Sequence, residues 1–86
     1  MMKADEELIH YLRDSLTRIN KLVDEVALRS KTKKFKAISS LLDLTKSKIN
    51  ATLNYARAGG YEDLSVVIQR HMYDPILAWF TSELKF

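Results

Sequence analysis

Two histidines, His10 and His71, are the only imidazoles in the sequence, and cysteine is absent. Imidazole is the usual proton shuttle and metal ligand near neutral pH. Glu7-Leu8-Ile9-His10 has the Glu-x-x-His spacing that puts both side chains on one helix face, a half-motif that di-iron helical bundles use twice. The second copy would end at His71, but Ile68 occupies the position three residues earlier. Half a site does not hold a metal, so His10 is expected in solvent, and His71 partly buried beside Met72 or at the bundle edge. No paired histidines on one turn, no Gly-rich phosphate loop and no activated-nucleophile motif occur. The serines are scattered without a histidine at a readable spacing. The sequence predicts a non-catalytic protein with no cofactor and no metal.

Charge is the stronger signal. Residues 1–28 carry four bases and six acids, residues 29–58 carry eight bases and one acid, and residues 59–86 carry two bases and four acids. The formal charge of +3 hides this partition. The eight bases are Arg29, Lys31, Lys33, Lys34, Lys36, Lys46, Lys48 and Arg57. Lys33, Lys34 and Lys36 stand near a helix start, where the dipole disfavours cations. A group that breaks a local rule marks a place to look for function. On one helical face Lys33, Lys36 and Arg57 alternate with Ser40, Asp43, Ser47, Asn50 and Asn54, with Lys46 and Lys48 on either side. Hydroxyls and amides between bases suit phosphate contacts. Three readings stay open: a solvated helix face, a nucleic-acid surface, and a surface for an acidic protein.

These side chains must be positioned by helices. Ile9, Leu12, Leu16, Ile19, Val23 and Val26 recur at alternating spacings of three and four, a heptad seam widened by Leu8 and Leu22. That predicts a first helix from about Asp5 to Leu28, with Asp5, Glu6 and Glu7 favourably placed in its first turn. Arg29 to Lys34 is the expected connection. A second helix is expected from Lys33 to Arg57, with Phe35, Ile38, Leu42, Thr45, Ile49, Leu53 and Ala56 inward. Ala58-Gly59-Gly60 should end it, glycine supplying the left-handed cap. A third helix should start at Tyr61 and continue through Leu64, Val67, Ile68, His71 and Met72. Proline has no amide proton and clashes with the preceding turn. Asp74-Pro75 therefore predicts a kink, or a restart as a short fourth helix from Pro75 to about Leu84 with Asp74 as N-cap. The fold expected is all-α: one domain over residues 1–86, an antiparallel three-helix bundle with its third helix kinked or broken at Pro75.

The segment from Pro75 to Phe86 is too apolar for one buried stripe. Ile76, Leu77, Phe80 and Leu84 can face the bundle, which turns Trp79 away from part of that set. Aromatic side chains on a short helix are common anchors for docking in a groove. Trp79, Phe80, Leu84 and Phe86 are thus the candidate protein-partner residues, against the plainer role of closing the bundle end.

Composition limits the classes further. Two glycines and one proline among 86 residues argue against an all-β fold. Without cysteine there is no disulfide framework and no thiolate metal site, which fits a reducing compartment. No run approaches the roughly 18 apolar residues of a membrane span. Acids early in the chain, where a signal peptide needs an apolar run, predict no export signal and a cytoplasmic location. One Gln and three Asn lean towards a thermophilic source.

In size, three-helix layout, absent cysteine and the stretch Lys33-Lys34-Phe35-Lys36, the chain resembles the small basic accessory subunit of crenarchaeal replicative B-family DNA polymerase holoenzymes. Small helical proteins of archaeal viruses share these features. The resemblance implies binding to a catalytic subunit near template DNA and support of synthesis without chemistry of its own. It assigns no individual residue. The function expected is that of a non-catalytic adaptor docked on a larger protein in a nucleic-acid-processing assembly. The alternative is a stand-alone, sequence-nonspecific DNA- or RNA-binding protein. A homodimer is open in either case, because a chain this short has a thin core.

Overall fold

Heptad spacing along three stretches gives three helices. In the computed structural model, which describes residues 2–28, 33–59 and 66–84, with side chains from Glu6 onward, these are α1 (Met2–Ala27), α2 (Lys33–Arg57) and α3 (Val66–Glu83). Among the described residues there is no strand, and no helix is long and apolar enough to cross a membrane. At about 1.5 Å per residue a 26-residue helix spans about 39 Å, which accounts for most of the molecule's 46 Å length.

The buried line of α1 is Leu8, Leu12, Ser15, Ile19, Leu22 and Val26, with Tyr11 beside it. Of the expected seam, Leu12, Ile19 and Val26 are buried together with Leu8 and Leu22, whereas Ile9, Leu16 and Val23 are only partly buried at the edge of the core. The true line runs through Ser15, a polar residue that an apolar template skips. α2 has the expected bounds, Lys33–Arg57, and buries Ile38, Leu42, Ile49, Leu53 and Ala56 as its spacing requires. Gly59 ends it at φ = 80°, and its amide donates to the Ala56 carbonyl at 2.9 Å. Any residue with a Cβ is strained at that φ.

α3 departs from expectation in three ways. It is one helix through Pro75, so no short fourth helix separates from it. Asp74 therefore lies inside the helix and caps nothing. Its buried line is Gln69, Tyr73, Leu77 and Phe80, continued by Leu84, whereas Val67, Ile68, His71 and Met72 are exposed. Both sides of α3 are apolar, so periodicity does not choose between them. The expected start at Tyr61 lies outside the described residues.

α1 packs along both α2 and α3, while α2 and α3 approach each other only at isolated points. Side-chain ties cross between those two helices. The Thr52 and Tyr73 hydroxyls are 3.0 Å apart, and Lys34 Nζ lies 3.6 Å from Glu83 Oε2. Early α2 thus meets late α3, as an antiparallel pair requires. The bundle is α1 covered on two flanks, with an open seam between the covering helices.

Candidate interaction surfaces

α2 carries all of the described bases expected to bind nucleic acid or an acidic partner. Lys33, Lys34, Lys36, Lys48 and Arg57 are exposed, and Lys46 is half-buried. Arg29 and Lys31 lie outside the described residues. The bases do not form one patch. Lys33, Lys36, Ser40, Ser47 and Asn54 follow one another at spacings of three, four, seven and seven, along the polar side. Arg57 is three residues past Asn54 on the same side. Lys34 and Lys48 are on the other side, in the line Lys34, Leu41, Lys48, Tyr55 at a spacing of seven. Ser40 donates to the Lys36 carbonyl at 3.2 Å, so its proton is turned back into the helix. No acid stands in the first turn of α2. Glu83 in the last turn of α3 sits equally badly with its own dipole, and pairing it with Lys34 offsets both placements. The two side chains are 64% and 37% exposed, which keeps the pair within about 1 kcal/mol.

The candidate docking residues divide as well. Phe80 and Leu84 are 2% and 1% exposed, so they belong to the protein's own core and not to a docking surface. Trp79 is 46% exposed, with its ring edge-on to Phe80 at 5.1 Å between centroids. Phe86 lies outside the described residues. Trp79 continues an exposed line of Ile68, Met72 and Ile76 along α3. Leu41, Leu44 and Tyr55 are the exposed large apolar residues of α2. The ties Thr52–Tyr73 and Lys34–Glu83 fix which sides of α2 and α3 meet. On both helices the exposed apolar line falls next to the tie residues and away from α1. The two lines therefore border the α2–α3 seam and form one outer face, rimmed by Lys34 and Lys48 on one helix and by Glu83 on the other. A reading confined to the last twelve residues could not find this face, since half of it is contributed by α2.

The most organised polar cluster joins α1 to α3, and its residues were not singled out by spacing. Tyr11 donates to Asp74 Oδ1 at 2.8 Å, with the Gln69 carbonyl at 3.4 Å as a weaker second acceptor. Arg18 Nη1 donates to the same Asp74 oxygen at 3.2 Å. The Arg70 guanidinium lies 5.4 Å from the centre of the Tyr11 ring. Burial, and then the hydrogen bond to Asp74, push the Tyr11 phenol up to about 12. The cluster ties α1 to α3 through Asp74. Ser15 Oγ and Gln69 Oε1 are buried beside it without hydrogen-bond partners. The Ser15 hydroxyl is close enough to ease the ionisation of Tyr11.

His10 is exposed as expected, and with Glu6, Glu7 and Arg70 it lines a shallow depression. His71 is also exposed, not partly buried. Among the described residues, no group of three or more His, Cys, Asp or Glu side chains is placed to hold a metal ion. No protein-family model, curated protein or solved structure matches the chain.

Proposed function

We propose that the protein is a non-catalytic helical adaptor that docks on a larger protein in a nucleic-acid-processing assembly and works in the cytoplasm. The observation that supports this most is that α2 exposes two unlike sides. One carries Lys36 and Arg57 among hydroxyls and amides, the other carries Leu41 and Leu44 beside Met72, Ile76 and Trp79 of α3, and Lys33 stands at the border between them. A phosphate backbone suits the first and a protein surface suits the second. A DNA polymerase holoenzyme is the assembly that the resemblance suggests. In this reading α3 bends at Pro75, where the His71 carbonyl has no amide partner four residues on.

The test is to purify the tagged protein from its source cells. A larger subunit should co-purify in fixed stoichiometry, and Trp79→Ala should weaken that docking by about 2 kcal/mol, as for a central anchor. Recovery without a stoichiometric partner contradicts the reading. The alternative, a stand-alone and sequence-blind DNA or RNA binder, rests on the basic side alone. It requires binding without any partner, with an affinity that falls steeply as salt rises.

A further inference from the structure

We infer that, when no larger partner is bound, the open α2–α3 face is closed by a second copy of this chain in a twofold dimer. The inference stands apart from the docking reading, since it needs only the face. Eight large apolar side chains on these two helices are between 39% and 61% exposed, and the five used here are Leu41, Leu44, Met72, Ile76 and Trp79. At roughly 100 Å² each, about half of a large side chain, these five alone present on the order of 500 Å². That is a large share of the ~800 Å² per partner that a stable interface buries. Their flanking neighbours would supply the remainder.

Charge selects the copy and its orientation. At this face α2 places Lys34 and Lys48 and α3 places Glu83, whereas Asp74 of α3 is tied to α1. A twofold axis parallel to the helices lays α2 of one copy on α3 of the other, basic against acidic. An axis across the helices would lay α2 on α2, with lysines opposed. Lys34 and Glu83 are tied at one height in each copy, so the parallel axis also brings Lys34 level with Glu83 of its mate. Lys48 lies further along, where its aliphatic stem can cover apolar surface. A foreign acidic helix would satisfy the lysines but repel Glu83, whereas a second copy answers both signs. Twofold dimers are also the commonest closed assembly, and a small core gains most from one.

The test is sedimentation equilibrium of the full chain between about 1 and about 200 µM, a range that brackets micromolar association. The proposal predicts a dimer mass at the upper end. Met72→Glu and Trp79→Glu should each stay helical by circular dichroism, because both side chains are about half exposed in the single chain, and should run as monomers. Lys34→Glu should weaken association about tenfold, and adding Glu83→Lys should restore it. Trp79 is the only tryptophan, so dilution of the unmodified protein should red-shift its emission even if a variant fails to fold. A monomer throughout the range, with invariant emission, overturns the proposal and leaves docking on a larger protein untouched. A dimer that survives both Glu substitutions overturns it too, by placing the contact elsewhere.

Discussion

Tyr11 shows how one polar atom can hold two helices together. Its phenol gives up water for Asp74, and the cost of ionising it in that place is what raises its pKa to about 12 from 10.0. The folded state holds the proton more tightly than the unfolded chain. The stabilisation is therefore complete below pH 10 and lost as the pH rises through 12. Denaturant unfolding between about pH 9 and 12 should show a loss on the order of 2 kcal/mol. Tyr11→Phe should remove that alkaline loss and cost about 1 kcal/mol at neutral pH, the net worth of one hydrogen bond. The neighbouring Ser15 hydroxyl is buried with no partner. Ser15→Ala should be neutral or stabilise by up to about 1 kcal/mol, since it removes an unsatisfied group and improves helix propensity. A clear loss on thermal unfolding would mean that the hydroxyl has a partner in solution. Sequence pattern hid all of this. Tyr11 and Asp74 are 63 residues apart, and no spacing rule links a phenol to a carboxylate across a fold.

At the scale of the element, α2 was legible and α3 was not. α2 buries the apolar line that its spacing predicts and ends at a glycine, so those local signals agree with the fold. In α3 the ordinary ordering is reversed: Gln69 and Tyr73 go inside, while Met72, Ile76 and Trp79 stay at least partly outside. Hydropathy does not anticipate that choice, which depends on where Tyr11 and Thr52 wait to bond. Pro75 predicts a kink or a break because its local cost is real, and the helix runs on across it with Tyr73, Leu77 and Phe80 buried on either side. Pro75→Ala should therefore stabilise the protein by about 1–2 kcal/mol in denaturant unfolding, the restored hydrogen bond outweighing the freer unfolded chain. The lysines at the head of α2 separate in the same way. Lys33→Glu with Lys36→Glu should leave the bundle folded or gain a few tenths of a kcal/mol from the helix dipole. Adding Lys34→Glu should forfeit that gain, because Glu83 lies 3.6 Å from the amine it replaces. Thermal melting of the double and triple variants distinguishes the two contributions.

The whole molecule is a bundle with one central helix, two covering helices and an unclosed seam. That layout explains why two kinds of surface can coexist on 86 residues. The side of α2 turned from the seam keeps its polar and basic residues, and the side at the seam keeps its apolar ones. The central claim is that these two sides do different work. Native mass measurement of the tagged protein purified from its source cells, compared across two variants, tests it directly. Met72→Glu should lose the larger partner. Lys33→Glu with Lys36→Glu should keep that partner and lose co-purifying nucleic acid. Loss of the partner in the lysine variant, or retention of both partner and nucleic acid in both variants, would contradict the division of labour.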